Sequence, residues 1–193
     1  MQEAPATPLK IDSITRIETS LPGVFILEPR VFRDERGFFF ESYNQQSMAK
    51  VGITEFFVQD NHSSSSLNVL RGLHYQINRP QGKLVRAVEG EILDVAVDLR
   101  KSSRSFGRWE AVRLSSENKR MLWIPAGFAH GFLVLSARAD VLYKATDYYA
   151  PEHERTLAWN DAQVGVRWEL KGEPIVSVKD QRGQMLRDAE TFE

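Results

Sequence analysis

Residues 123–132 read WIPAGFAHGF and combine a turn, a strand and one histidine. Pro125 and Gly127 predict the turn, because proline presets its backbone angle and glycine tolerates positive φ. The apolar residues that follow predict a strand near His130. Such a turn delivers the histidine that leads a strand to the mouth of a β-barrel. The stretch therefore predicts a fold and a candidate site together.

Short runs of β-branched and aromatic residues between turn formers predict strands along most of the chain. Lys83–Val88 and Glu91–Leu99 are joined at residues 89–90 as in a hairpin. Only Asn44–Val51 and Gln181–Glu193 are typical of helices. This pattern indicates an all-β fold, an antiparallel sandwich or barrel with short peripheral helices. The other predicted strands are Val24–Phe32, Gly37–Tyr43, Phe56–Asp60, Val69–Gln76, Trp109–Leu114, Met121–Ile124, Gly131–Leu135 and Ala139–Tyr148.

The composition excludes several classes of protein. With 25 Lys and Arg against 26 Asp and Glu in 193 residues, the formal charge of −1 gives no support to nucleic-acid binding. The absence of cysteine excludes disulfides, Cys-ligated zinc, iron–sulfur clusters and thiol catalysis. No secretory signal and no membrane span of ~18–20 apolar residues is predicted. We expect a cytoplasmic protein with a flexible tail over residues 1–10 and one domain over 11–193.

The segment Ile92–Leu99 alternates between two kinds of side chain. One face is entirely apolar and is expected to pack between sheets. The other carries Asp94 and Asp98. In an arbitrary sandwich that face lies in solvent, whereas in a barrel with a ligand cavity it points inward and Asp94 becomes a site residue.

A metal site is the first functional hypothesis to test. The Pro-x-Gly-x-x-His pattern ending at His130 resembles the cupin jelly roll, and many cupins bind a metal ion through several histidines and a glutamate. The first cupin motif requires His-x-His, yet residues 74–76 read HYQ, with no glutamate nearby. Two histidines without further ligands make a poor transition-metal site. We therefore expect no catalytic metal.

The same residues suit acid–base chemistry without a metal. Neutral histidine is a competent base near neutral pH, and tyrosine can return a proton. Lysine or arginine can stabilise an enolate or a diphosphate. No nucleophile elbow, Walker loop or dinucleotide-binding glycine motif is present. A single histidine on a strand is more often structural, but Arg71, His74, Lys83 and His130 together favour a site.

Several long motifs occur in one order between about residues 23 and 180. They read FRDERGFFFE (32–41), QDNHS (59–63), VLRGLHYQ (69–76), QGKLVR (81–86), DVAVD (94–98), SFG (105–107), LSSEN (114–118) and LWIPAGFAHGF (122–132). Together they closely resemble the dTDP-4-dehydrorhamnose 3,5-epimerase family. This set is far more specific than one cupin turn.

The resemblance implies a cupin-type jelly roll that works without metal or cofactor. Its substrate is a dTDP-4-keto-6-deoxyhexose, and it inverts C3 and C5 beside the ketone on the route to dTDP-L-rhamnose. By resemblance His74 is the base, Lys83 faces the ketone oxygen and Tyr143 reprotonates the opposite face. The other catalytic matches are the carboxylate paired with the base, Asp180, and a second pair, His130 with Asp94.

The resemblance also implies a substrate-binding set and a partner. Tyr149 is placed against thymine. The N-terminal strands are exchanged in a homodimer, so Arg36 and Glu41 act in the partner's site. Besides His74, Lys83 and His130, the binding set comprises Arg36, Glu41, Gln59, Asp60, Asn61, Arg71, Tyr149, Glu154 and Lys179.

Two departures from the family pattern and three alternatives accompany this hypothesis. The loop over residues 77–80 is about one residue short and contains an unexpected Arg79, and residues 181–184 lack an Ala/Pro-rich stretch. The alternatives are a 5-epimerase or 3-epimerase of another deoxysugar pathway, another cupin isomerase of nucleotide sugars, and a cupin that binds such a sugar without catalysis. His74, Lys83 and Tyr143 favour an enzyme, because binding alone requires neither acid nor base.

Overall fold

A computed structural model describes residues 8–11 and 13–193. In this part of the chain strands predominate, which confirms the predicted all-β class. The strands are β1 Leu9–Ile11, β2 Ile14–Glu18, β3 Phe25–Pro29, β4 Phe32–Asp34, β5 Gly37–Phe39, β6 Gln59–Ser66, β7 Leu70–Gln76, β8 Lys83–Glu89, β9 Glu91–Asp98, β10 Trp109–Ser115, β11 Met121–Ile124, β12 Phe128–Val134, β13 Arg138–Ala145 and β14 Glu154–Thr156. The helices are α1 Gln45–Lys50 and α2 Val178–Gln181, with a 3-10 turn at Pro151–His153.

Two antiparallel sheets pack against each other. The first has seven strands in the order β1-β2-β3-β11-β8-β13-β6, and the second has five in the order β10-β9-β12-β7-β14. A small hairpin of β4 and β5 stands apart from both. Apolar side chains from the two facing sheets form the central core, among them Val85, Ile92, Leu122, Phe132 and Val141. The arrangement is the predicted antiparallel jelly roll.

Strand β9 corrects one prediction from the sequence. Its wholly apolar face does not lie between the sheets but packs under the C-terminal segment, against Leu157, Val164 and Leu186. The face with Ile92, Asp94 and Ala96 points between the sheets. Both faces of β9 are therefore buried, and the inward orientation of Asp94 is confirmed.

Other differences concern strand and helix limits. The expected strand Phe56–Asp60 instead begins at Gln59 and continues through the serine run to Ser66, because it pairs with β13 along its whole length. The predicted strands Val24–Phe32 and Gly37–Tyr43 are interrupted after Pro29 and Phe39. Strands β1, β2 and β14 were not predicted. Residues 1–7 of the expected tail lie outside the described residues, while β1 begins at Leu9 and pairs with β2.

The two helices lie at the periphery. Asn44 caps α1 through hydrogen bonds from the backbone N–H groups of Gln46 and Ser47 to its side chain, and this confirms the helix expected there. The helix expected over Gln181–Glu193 is wrong, because the chain ends α2 at Gln181 and then pairs with distant backbone segments. Among the described residues, no helix has the length and apolar character needed to cross a membrane.

Candidate active site

A cavity of about 760 Å³ opens between the two sheets. The five-stranded sheet contributes His74 from β7 and His130 from β12. The seven-stranded sheet contributes Lys83 from β8 and Tyr143 from β13. Groups that accept and donate protons therefore stand on opposite walls of one cavity.

A β-bulge at Gly72 decides what β7 presents to the cavity. On β12, His130 pairs with His74 and Phe132 pairs with Arg71, so two residues of β7 lie opposite one residue of β12 between these pairs. Arg71 and His74 consequently both line the cavity, although regular alternation would place them on opposite faces. Gly72 has φ +106°, and a Cβ there would lie 2.6 Å from the His130 carbonyl oxygen. Glycine is required at this bulge.

His74 forms the first of two histidine–aspartate pairs. Its Nε2 lies 2.5 Å from Oδ1 of Asp180, a residue of α2 that is 3% exposed. The hydrogen bond from the Asp180 backbone N–H to the Ser177 side chain fixes the helix start. Burial lowers the pKa of His74 below its ordinary 6.5, against the opposing effect of Asp180. With the Nε2 proton donated to Asp180, Nδ1 keeps a free lone pair and can act as a base.

The second pair lies deeper. His130 Nε2 is 2.7 Å from Oδ1 of Asp94, which has no exposed surface. The other carboxylate oxygen of Asp94 is buried and has no hydrogen-bond partner among the described residues. The His130 ring stands 6.4 Å from the Tyr143 ring, centroid to centroid, in an edge-on arrangement. This pair belongs to the five-stranded sheet, and its imidazole ring therefore contacts the tyrosine of the opposite wall from across the cavity.

Burial shifts the pKa values of both Lys83 and Tyr143. Burial lowers the pKa of Lys83 from 10.5 to about 8, although Asp94 and Glu154 oppose the shift. The ammonium group lies 3.4 Å from the His74 carbonyl oxygen, so it stands beside the proposed base. Burial raises the pKa of Tyr143, with Glu154 adding to the effect. Near neutral pH the lysine remains a cation and the tyrosine keeps its proton.

A polar network borders the rest of the cavity. Glu154 accepts hydrogen bonds from the Tyr149 hydroxyl at 2.9 Å and from Lys179 Nζ at 2.8 Å. The Gln59 side chain accepts from the Tyr149 backbone N–H and donates to Asn61. All five residues, which belong to the binding set expected from the sequence, line the cavity together with Arg71.

Three predicted binding residues do not line this cavity. Asp60 lies on the opposite face of β6 from Gln59 and Asn61, where it pairs with Lys144 at 2.8 Å. Its place in the predicted binding set is corrected by strand alternation. Arg36 lies at the tip of the β4–β5 hairpin and pairs with Asp34. Glu41 accepts hydrogen bonds from Asn44 and Ser47 of its own chain at the start of α1.

Several cavity residues were missed. Ser63 continues the inward face of β6, so alternation from Gln59 and Asn61 would have found it. The apolar border formed by Val69, Ile175 and Val176 carries no recognisable sequence signal. Lys179 and Asp180 were found, but the preceding residues of their segment were not. The remaining residues missed in the lining are Leu70, Tyr75, Gln76, Gln81, Gly131, Phe132 and Ser177.

Comparison with known proteins gives this geometry its context. The model of the family described as dTDP-4-dehydrorhamnose 3,5-epimerase matches residues 18–188. The chain belongs to this family. It is an epimerase, hence an isomerase, and its cupin-type jelly roll is the fold expected for a dTDP-4-dehydrorhamnose 3,5-epimerase.

Individual relatives agree over nearly the whole chain. A dTDP-4-dehydrorhamnose 3,5-epimerase of Pseudomonas aeruginosa is 58% identical over 174 residues, which are 90% of this chain and 96% of that protein. The structure of a dTDP-6-deoxy-D-glucose-3,5-epimerase from Legionella pneumophila, in complex with dTDP-4-keto-L-rhamnose, has a TM-score of 0.90 at 49% identity. That match covers 92% of this chain and 95% of the other. A 3'-monoepimerase from Streptomyces bikiniensis, in complex with dTDP-quinovose, has a TM-score of 0.82 at 31% identity, covering 88% and 86%.

Proposed function

We propose that this epimerase inverts C3 and C5 of dTDP-4-keto-6-deoxy-D-glucose and forms dTDP-4-keto-L-rhamnose, as a cytoplasmic step of dTDP-L-rhamnose biosynthesis. The observation that carries the proposal is the placement of His74, with its Asp180 partner, across the cavity from Tyr143. Identity of 58% to a 3,5-epimerase, against 31% to a 3'-monoepimerase, favours inversion of both carbons.

The first step is removal of a proton from carbon next to the ketone. Nδ1 of His74 takes this proton, and the electron pair of the broken C–H bond passes to the ketone oxygen as an enolate. Asp180 stabilises the imidazolium that forms, because its carboxylate already accepts the Nε2 hydrogen bond. The buried ammonium of Lys83 stabilises the negative oxygen in a site shielded from water.

The second step delivers a proton to the other face of the same carbon. The Tyr143 phenol donates it from the opposite sheet, and the carbonyl re-forms with inverted configuration. The phenol proton is then replaced from solvent, and His74 releases the proton it took. Both groups are thereby restored for the second carbon. A base and an acid on opposite walls are what inversion requires.

The nucleotide half of the substrate has a separate set of groups. Arg71 and Lys179 supply positive charge for the diphosphate, and arginine suits it because its planar fork donates two parallel hydrogen bonds. The Tyr149 ring is half-exposed and offers a flat face to thymine. Gln59 and Asn61 present amide groups at the same border.

Exchange with solvent deuterium tests this function. When dTDP-4-keto-6-deoxy-D-glucose is incubated with the enzyme in D₂O, NMR should show deuterium at both C3 and C5 of the product. Deuterium at one carbon would identify a single epimerase. No incorporation and no turnover would leave only a binding protein and contradict the proposal.

We also propose that the enzyme is a homodimer with exchanged N-terminal strands. The β4–β5 hairpin exposes three aromatic side chains, Phe32, Phe38 and Phe39, the last at 72%. Such an apolar patch on a free hairpin favours a partner surface. Exchange would bring Arg36 and Glu41 to the partner's cavity. Sedimentation should show a dimer at micromolar concentration, and a fully active monomer would refute the exchange.

A further inference from the structure

The segment over residues 146–150 carries Tyr149 from the end of β13 to the cavity border. Tyr149 itself is bonded at its backbone to Gln59 and at its hydroxyl to Glu154. The rest of the segment is held from the other side by side chains of residues 76–81. We call Gln76, Arg79 and Gln81 the clasp, because each bonds to this segment or to the loop beside it.

Gln76 is the buried member of the clasp, with 3% of its surface exposed. Its amide nitrogen donates to the carbonyl oxygens of Arg79 at 2.7 Å and Tyr148 at 3.2 Å. Its amide oxygen accepts from the Ala150 backbone N–H at 2.8 Å. One fully bonded side chain therefore ties the two loops together on both sides of Tyr149.

Arg79 and Gln81 hold the start of the same segment. Arg79 donates to both carboxylate oxygens of Asp147, from Nε at 3.2 Å and from Nη2. Asp147 in turn accepts from the Tyr148 backbone N–H at 2.7 Å, while Gln81 donates to the Asp147 carbonyl oxygen at 2.7 Å. The guanidinium lowers the pKa of Asp147, so the ion pair persists throughout the neutral range.

We propose that the clasp positions Tyr149 and thereby sets the affinity of the enzyme for the nucleotide of its substrate. The inference rests on the proposed function, in which Tyr149 contacts thymine. Arg79 does not itself line the cavity; it acts through Asp147 and the segment that follows. Arg79 is thus a positioning residue, and its loss lowers binding without changing the chemistry at His74.

The test measures the affinity for dTDP by calorimetry, and kcat and KM with the dTDP-4-keto sugar. Arg79→Ala should raise both Kd and KM about fivefold, the upper value for a partly exposed ion pair, and leave kcat within about twofold. Arg79→Lys keeps one charged contact to Asp147 and should restore most of the affinity. In a Tyr149→Ala background, Arg79→Ala should change Kd less than about twofold, because the positioned ring is gone.

Arg113→Ala is the matched control, since Arg113 also pairs with carboxylates, Glu91 and Glu169, but on the distant edge strand β10. It should leave Kd unchanged. The proposal is overturned if Arg79→Ala leaves Kd unchanged, if its effect multiplies with that of Tyr149→Ala, or if Arg113→Ala weakens binding equally. Wild-type enzyme that neither binds dTDP nor turns over would instead refute the proposed function.

Discussion

The two histidine–aspartate pairs use the same atoms but occupy different environments. In each, histidine Nε2 meets aspartate Oδ1, at 2.5 Å for His74–Asp180 and at 2.7 Å for His130–Asp94. The side chain of His74 is 25% exposed and that of His130 only 7%. Because these histidines are direct neighbours on β7 and β12, burial rather than sheet position distinguishes them.

The origin of each aspartate sharpens the contrast. Asp94 lies on β9, the strand next to β12, so the sheet itself builds the deeper pair. Asp180 comes from α2 in the C-terminal segment, which contacts β7. The accessible pair therefore joins two distant parts of the chain at the cavity, whereas the deep pair lies within the five-stranded sheet. We expect the first to determine the rate and the second mainly to determine stability and the placement of Tyr143.

The largest effect is expected at the accessible pair. His74→Ala should reduce both inversion and deuterium exchange by about 10⁴-fold, because no enolate forms without the base. NMR in D₂O measures the two rates together, and circular dichroism checks that the fold is intact. Retained exchange in this variant would remove His74 as the base.

Variants of the seven-stranded sheet, which faces the deep pair across the cavity, should show a different pattern. Tyr143→Phe should slow inversion by about 10²–10³-fold while exchange persists in part, since His74 still forms the enolate and returns a deuteron to the same face. Lys83→Ala should depress both rates, because it weakens the enolate itself. An equal loss of exchange and inversion in the tyrosine variant, with an intact fold, would contradict the assignment of opposite faces.

Replacing one member of each pair shows whether that pair contributes mainly to kcat or mainly to the free energy of unfolding. Asp180→Asn should lower kcat about 10²-fold with little change in stability, because the amide no longer stabilises the imidazolium. His130→Ala should lower the unfolding free energy by about 3 kcal/mol, because it leaves the buried Asp94 carboxylate unpaired. Denaturant titration and steady-state kinetics measure the two effects. If His130→Ala is as stable as wild type, the deep pair does not stabilise the fold.

The smallest change in rate is expected from a change of pH near neutrality, for which kcat/KM should follow a bell-shaped profile. The acid limb should lie below pH 6.5, because burial lowers the pKa of His74 and its neutral form is the base. The basic limb should begin at about pH 8, where Lys83 loses the proton that stabilises the enolate. Above it, kcat/KM should fall roughly tenfold per pH unit. A profile that stays flat to pH 9.5 would show that the charge of Lys83 is not required.

The sequence predicted those parts that depend on local patterns. The turn before His130, the β8–β9 hairpin and helix α1 all follow from residues close together in the chain. The prediction for the apolar face of β9 was wrong, because an apolar face indicates burial but does not show which layer of the protein covers it. The serine run of β6 has low strand propensity, and only pairing with β13 makes it a strand. The helix expected after Gln181 does not form because the backbone of Gln184 pairs with residues 156–158, where Gly183 packs so tightly on Ala158 that a Cβ would lie 2.8 Å away.

In the candidate site, too, features that depend on local patterns could be predicted, whereas those that depend on distant contacts could not. Motif resemblance found the residues that we propose as catalytic, yet it could not separate Asp60 from Gln59 and Asn61, which only strand alternation distinguishes. The clasp also could not be predicted, since Gln76 bonds to a backbone carbonyl and Arg79 to a carboxylate that each lie about 70 residues away. Contacts of this kind leave no pattern along the chain.

The bulge at Gly72 also constrains how this protein can be altered. If β7 paired with β12 without the bulge, the strand would return to regular alternation, and Arg71 and His74, which are three residues apart, could no longer share the cavity wall. The cation proposed for the diphosphate and the base proposed for the sugar thus both depend on this bulge for their positions. A substitution of Gly72 should therefore displace the cation and the base together, although it replaces neither of them.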